Sequence, residues 1–367
     1  MLSTHGLKID PRVYNESMTL ISAGHTIEVL SWDRENRNKG IENAEIDGIK
    51  IKRFFIKSEY GTGFKQVIAF TSFINEAKKY LSGKKYDVIH GHDIDGAFIG
   101  TFFKKDKKLV WDMRELYDGF NHGKIKSLIY NIFAWWCFQN IDGLITVIDY
   151  QLKRYKEKIK EHTICETILN TPEKKIFQGF NKKESNYLRI SYIGSVRQFN
   201  ELKLLMDSGM SIDGLKIQIH GTGSVLKELT GIIGNYNNVV ITGQFNYKDT
   251  KYLYEETDLL YVIYDKSIEN QKYGIPIKGY EAIYTQTPVI AQAGTEFADF
   301  VKKHDIGFVI KGDELDELRN LILEVKANRS LLKAKTDNIR KIQHLYVWDN
   351  QAEKLKLFYQ NLGHKNI

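Results

Sequence analysis

The chain has 367 residues, 42% of them hydrophobic and 27% charged, and a net charge of +7. That length exceeds one ordinary core and suits two α/β domains. The positive excess is shared by both halves instead of gathered in a patch, which argues against a nucleic-acid partner and leaves anionic small molecules or an anionic membrane surface. The two cysteines, Cys137 and Cys165, form no metal-spaced pair. They argue against a disulfide framework or a zinc site and fit a reducing cytoplasm. Residues 1–30 lack the apolar core of a signal peptide. No apolar run approaches the ~18 residues of a membrane span.

Short β-branched runs alternate with helical patterns, as in βαβ units and parallel sheets. The first half predicts strands at 26–32, 49–55, 87–92, 108–113, 143–148 and 166–170, with helices at 12–23, 64–82, 96–103, 125–140 and 149–158. The first strand of such a fold should precede Thr4, yet only Met1, Leu2 and Ser3 do. That strand is either very short or begins in a longer natural chain. Residues 171–186 are polar and aperiodic and read as a linker. A second series predicts strands at 188–194, 215–221, 239–243, 258–264, 288–292 and 307–310, then helices at 314–326 and 329–362. The domains are thus 1–170, 187–345 and a closing helix at 346–362. In such sheets ligands bind outside the carboxyl ends of the strands.

The segment YGIPIKGYEAIYTQTPVIA, 273–291, holds one lysine and one glutamate between two strands. Pro276 suits the first turn of a helix, and Gly274 permits close backbone approach to a ligand. Free N–H groups at the helix start, around Ile277, attract a phosphate. Lys278 adds a cation there. Glu281, one turn in, can accept two hydrogen bonds from a vicinal diol such as a ribose. Together they describe a nucleotide site; a solvated helix with an acidic first turn is the plain alternative.

This segment resembles the donor site of glycosyltransferase family 4. Other stretches agree in order: DPRVYNESMTLISAGHTIEVL (10–30), YDVIHGHD (86–93), VWDMREL (110–116), SYIGSVRQFNELKLL (191–205), IHGTGSVLKEL (219–229) and WDNQAEKLKLFY (348–359). The resemblance implies a GT-B architecture: two Rossmann-like doubly wound domains facing across a cleft, an acceptor domain first and a donor domain second. The closing helix crosses back to the first domain. It implies a retaining, metal-independent transferase acting on a nucleotide sugar, UDP- or GDP-linked, as co-substrate, with a cell-surface polysaccharide or lipid-linked glycan as acceptor. The alternative is a non-catalytic sugar-nucleotide-binding relative or a GT-B epimerase. A dinucleotide dehydrogenase is disfavoured, since no G-x-G-x-x-G follows a first strand.

In the family the residue matching Glu281 binds the donor ribose. A second glutamate usually stands where this chain has Tyr273, which places Tyr273 near the donor sugar. Gln286 replaces a usual glycine. The turn after 188–193 offers Gly194 and Arg197 to a leaving diphosphate, although Ser195 and Asn200 stand where an arginine and a lysine are usual. Gly221 and Gly223 follow the next strand near the nucleotide, and Gly243 the one after, near the base.

In the first half His90 and His92 share one face of a strand. His92 and Asp95 lie at its carboxyl end, where a sugar hydroxyl is held or a proton taken; a buried core histidine is the plain reading of His90. A metal at these histidines would need further ligands that the sequence does not assign. Gly6, ahead of Lys8, Asp10 and Arg12, marks the turn that in the family approaches the donor phosphate and acceptor. Glu115 faces the acceptor or caps a helix. The stretches 102–109 and 124–140 combine lysines with aromatics and suit peripheral membrane contact. On the other reading, Ile125, Leu128, Ile132, Trp135 and Trp136 are core at helical spacing. A cytoplasmic enzyme at the inner face of a membrane is the expectation.

Overall fold

The computed structural model describes residues 1–4, 10–34, 40–58, 64–117 and 124–364. The chain divides into two compact units, Met1–Leu169 with Asp349–Ile367, and Asn170–Trp348.

The first unit is built on eight strands: β1 (Leu2–Ser3), β2 (Glu28–Trp32), β3 (Asn43–Ile46), β4 (Ile49–Phe54), β5 (Val88–His92), β6 (Lys108–Met113), β7 (Gly143–Thr146) and β8 (Ile164–Thr167). They lie in the order β3-β4-β2-β1-β5-β6-β7-β8. All neighbours are parallel except β3 on β4. The first strand, only two residues here, pairs with both β2 and β5. β3 is absent from the sequence reading. It is joined to β4 by Asp47-Gly48, both at positive φ, the Asp-Gly hairpin turn that suits right-twisted strands. The interior strands read as continuous apolar runs because helices cover both faces.

The helices of this unit are α1 (Pro11–Ser22), α2 (Phe64–Leu81), α3 (Asp93–Thr101), α4 (Lys124–Asn140) and α5 (Asp149–Tyr155). Asp10 caps α1 by accepting from the Arg12 N–H at 2.9 Å. Trp32 stacks on Phe73 of α2 at 5.3 Å, and Trp111 packs on Phe138 of α4 at 5.0 Å. α4 departs from its core reading. Leu128, Ile132, Trp135 and Trp136 are exposed, while Ala134, Cys137 and Phe138 face inward; the side chain of Ile125 lies outside the described residues.

The second unit has six parallel strands: β9 (Leu188–Ile193), β10 (Leu215–His220), β11 (Val239–Gly243), β12 (Leu259–Val262), β13 (Val289–Gln292) and β14 (Gly307–Ile310). Their order is β11-β10-β9-β12-β13-β14. This is the doubly wound 3-2-1-4-5-6 pattern, whose direction reverses between β9 and β12. Its helices are α6 (Phe199–Gly209), α7 (Leu226–Ile232), α8 (Thr250–Glu255), α9 (Glu269–Tyr273), α10 (Ile277–Tyr284), α11 (Glu296–His304), α12 (Leu315–Ala327) and α13 (Ser330–Ile342). Leu202, Leu205 and Met206 of α6 and Leu318, Ile322 and Val325 of α12 bury at helical spacing against the sheet.

The helix expected over 329–362 is two helices. A short turn at Gln343–Leu345 precedes α14 (Trp348–His364). The break has a packing cause: α13 buries Leu332 and Ile339 in the second unit, whereas α14 buries Leu355, Phe358 and Leu362 in the first. Gly143 leaves room for the Phe358 ring, which a Cβ would meet at 2.6 Å. Among the described residues no helix is long and apolar enough to cross a membrane.

Candidate functional site

In the second unit the predicted residues converge at the carboxyl edge of the sheet, at the reversal between β9 and β12. The turns after β9, β10 and β11 are stitched together. Gly194 N–H donates to His220 O at 2.9 Å, Val196 N–H to Thr222 O at 3.0 Å and Gly221 N–H to Gly243 O at 2.8 Å. Gly221 sits at φ +134°, and a Cβ there would lie 1.8 Å from Gly194 O. No other residue type fits that contact. Gly223 is equally constrained, with Val196 O at 2.1 Å from its virtual Cβ. Gly221 and Gly223 are therefore explained by backbone packing that brings the turns side by side.

Lys278 is the second residue of α10 and reaches back over these turns. Its ammonium lies 3.0 Å from the virtual Cβ of Gly194, 3.8 Å from the Tyr192 ring centre and 5.2 Å from that of Tyr264. Two aromatic faces and a bare glycine turn thus surround a cation at the switch point, where π-faces attract it. The side chain is half-buried. Burial pulls its pKa down to about 7, with Glu281 partly offsetting that.

Glu281 follows one turn later and is buried. The Tyr254 hydroxyl of α8 donates to its Oε2 at 3.0 Å, and the Tyr247 hydroxyl bonds to the same carboxylate. Burial raises the carboxyl pKa, with Tyr247, Tyr254 and Lys278 opposing. Two phenols use part of its accepting capacity and leave lone pairs for further donors. These tyrosines escaped the sequence reading. Their seven-residue spacing in YKDTKYLY, two helical turns, was the available signal. Tyr254→Phe removes one donor and is expected to weaken nucleotide binding by about five- to tenfold, the worth of one such bond, by titration calorimetry.

Other predicted residues of this unit stand differently. Pro276 is the N-cap residue of α10 and not its first helical residue, and Ile277 is exposed at its start. Gly274 has a local reason: a Cβ would meet Asn270 O at 2.4 Å, so its smallness serves the end of α9. Tyr273 ends α9, half-buried, with the Lys272 ammonium 4.9 Å from its ring centre. Arg197 is exposed and makes no ion pair among the described residues. Gln286, where the resemblance expects glycine, has φ +54°, a conformation costing a non-glycine residue about 1 kcal/mol.

In the first unit the residues expected to face a ligand instead form a buried ion network. Arg12 is 2% exposed and donates through Nε to Asp112 Oδ2 at 2.9 Å and through Nη2 to Oδ1 at 2.8 Å. Glu16 Oε1 lies 3.0 Å from Arg12 Nε. His92 Nδ1 is 3.1 Å from Asp112 Oδ2, and its ring stacks on His90 at 4.6 Å. His90 Nδ1 meets the Tyr359 hydroxyl of α14 at 2.7 Å. His92 is 1% exposed and so is sealed where the sequence placed it at an accessible edge. Burial opposes the charge on Asp112, but Arg12 and the His92 hydrogen bond hold its carboxyl well below the usual range. Burial and Asp112 push Glu16 well above it. Burial also lowers both histidines, leaving them neutral.

One ligand atom each from Glu16, His90, His92 and Asp112 lies within 4.8 Å of the others. The Arg12 guanidinium lies against both carboxylates and supplies positive charge there. Asp95 is likewise engaged. Its Oδ2 accepts from Arg34 Nη2 at 2.9 Å and Thr4 Oγ1 at 3.4 Å, which leaves it poorly suited as a free base. Arg114 bridges Asp10 and Asp93. Glu115 is exposed. Gly6 and Lys8 lie outside the described residues.

Residues 172–342 match the family model described as "Glycosyl transferases group 1". No curated protein sequence matches the chain. The solved structures it is similar to include sucrose-phosphate synthase from Thermosynechococcus elongatus, with TM-score 0.79 and 15% identity over 97% of this chain and 93% of that one. Another is Anabaena HepE in complex with UDP and glucose, with TM-score 0.71 and 14% identity over 98% of each chain. A third is the E. coli trehalose-6-phosphate structure bound with UDP-2-fluoro glucose, with TM-score 0.72 and 11% identity over 100% of this chain and 99% of that one. At such identities the likeness establishes the fold. The second unit thus matches the group 1 glycosyl transferase model over nearly its whole length, and the chain as a whole has the GT-B fold.

Proposed function

We propose that this chain is a retaining glycosyltransferase that moves a sugar from a UDP- or GDP-linked donor to a hydroxyl of a glycan or lipid-linked acceptor. The observation that carries the reading is the placement of Lys278 over the glycine turn after β9, with the buried Glu281 one turn further along the same helix. It supplies a cation and the N–H groups at the start of α10 for a diphosphate and a carboxylate for a ribose diol. The family model over this unit and the UDP complex of the similar HepE structure support a nucleotide-sugar donor. The first unit is proposed to take the acceptor. A cytoplasmic setting fits two cysteines that are both free.

The bond from the anomeric carbon to the diphosphate oxygen breaks first, and its electron pair leaves with the diphosphate. Lys278 and the N–H groups at the start of α10 stabilise that charge as it develops. The acceptor hydroxyl then bonds to the oxocarbenium-like carbon on the face just vacated. Its proton passes to the departing phosphate oxygen.

The test is binding and turnover of the purified protein with UDP-, GDP-, ADP- and CMP-sugars, read as released nucleotide. One nucleotide should bind, with slow release from one of its sugars. Binding to none would remove the donor reading. Binding without turnover, even with acceptors supplied, would make the chain a non-catalytic relative.

A further inference from the structure

Among the described residues, the first unit carries a patch of exposed apolar side chains on α4. On α4, Leu128, Ile129, Ile132, Trp135 and Trp136 fall on one helical face, and each is between 45% and 61% exposed. The rest of α4 is anchored: Ala134, Cys137 and Phe138 are buried, Phe133 stacks on Phe98 of α3 at 4.3 Å, and Trp136, at the edge of the stripe, donates through Nε1 to Thr101 Oγ1 at 3.1 Å. That anchoring sets Phe102, 50% exposed, beside the stripe. A contiguous patch of large apolar side chains on a folded surface marks an interaction site. Directly after Phe102 runs Lys104-Lys105-Asp106-Lys107-Lys108, four cations against one anion. Lys104 reaches Asp142 at 2.9 Å and Lys107 reaches Asp106 at 3.1 Å, while Lys105 is exposed.

We propose that this face of α3 and α4 docks on an anionic lipid bilayer, with α4 lying in the interfacial plane. A helix lying on a membrane presents apolar residues on one side and has cations close by for lipid headgroups. Two tryptophans fit the interfacial layer, which takes an apolar ring with a polar N–H. A second copy of the chain fits less well. A twofold contact would bring the same lysines of both copies together. The bilayer instead offers the complementary charge. The surface stands on its own geometry, whether or not the donor reading holds.

The test is co-sedimentation of the full chain with vesicles of phosphatidylglycerol and phosphatidylcholine, and with phosphatidylcholine alone, at low and high salt. Tryptophan fluorescence gives a second readout, because Trp32, Trp111 and Trp348 are buried and a blue shift reports on Trp135 and Trp136. Partition into the anionic vesicles is expected to fall with salt. It should weaken by about tenfold in Ile132→Asp, whose side chain is exposed and whose fold is checked by circular dichroism. Lys105→Glu with Lys107→Glu should lose the preference for anionic over neutral vesicles. Absence of partition in the wild type, or equal partition by Ile132→Asp, overturns the proposal. So does a wild-type dimer that Ile132→Asp makes monomeric, which would mean that a second copy covers the face. Nucleotide binding by Ile132→Asp, measured alongside, should stay at the wild-type value, so failure of the surface and failure of the donor site are read separately.

Discussion

Glu281→Ala is expected to weaken binding of the cognate nucleoside diphosphate by about a hundredfold or more. The carboxylate is buried and already held by Tyr254 at 3.0 Å, so its orientation is fixed before ligand arrives. Two ribose hydroxyls donating to a charged acceptor contribute about 1.5–3 kcal/mol each, and alanine loses both. The substitution relieves the cost of burying that carboxylate but leaves the Tyr254 and Tyr247 hydroxyls without their acceptor, so a melting curve of the variant is read beside its affinity. Calorimetry with the ribonucleotide and with its 2′,3′-dideoxy form separates the cause. The wild type should bind the dideoxy form as weakly as Glu281→Ala binds the ribonucleotide, and the variant should no longer tell the two apart. Undiminished affinity in Glu281→Ala would remove this residue from the site. The pH dependence has a definite sign. The carboxyl pKa is raised, and only the ionised form accepts both hydroxyls, so affinity falls as pH drops through the raised value.

Much of this site was legible because it depends on local sequence. A strand, a glycine turn and a helix start put Gly194, Gly221, Lys278 and Glu281 where doubly wound topology gathers ligands, and the structure brings them together. The tyrosines around Lys278 and Glu281 come from β9, α8 and the segments beside β11 and β12. Their meeting depends on strand order, which no local pattern displays. The first unit shows the opposite failure. His92 and Asp95 do stand at or beside a strand's carboxyl end, yet position along a strand does not say whether a side chain meets solvent or a buried arginine. Arg12, Asp112 and Glu16 share one network although 100 residues separate Arg12 from Asp112. Asp47-Gly48 is a hairpin signal in the sequence, but β3 before it is only four residues long and largely exposed, so it shows no apolar run of its own. α4 misled for another reason: helical spacing of apolar residues shows that one face is apolar, not that the protein itself covers it.

Lys278→Ala is expected to lower turnover by about a hundred- to a thousandfold, the usual loss when one preorganised group is removed from a developing charge. Ground-state binding should suffer less, because the N–H groups at the start of α10 and Glu281 still hold the nucleotide. The wild-type pH profile follows from the surroundings of the ammonium. Burial holds its pKa down at about 7, between the Tyr192 and Tyr264 rings. The cation is therefore present below that pH and lost above it in the free protein. A bound diphosphate favours the charged form, so donor binding takes up a proton, and kcat/KM falls as pH rises through about 7. Lys278→Arg keeps a guanidinium charged throughout this range. It should abolish the fall above pH 7 even if the longer side chain lowers the maximum. Calorimetry in two buffers of different ionisation enthalpy measures the proton uptake directly. A flat profile in the wild type with no proton uptake would show that Lys278 is charged throughout and that its burial does not set the pH response. A turnover loss in Lys278→Ala matched by an equal loss in affinity would make the lysine a binding group and leave the developing charge to the backbone N–H groups.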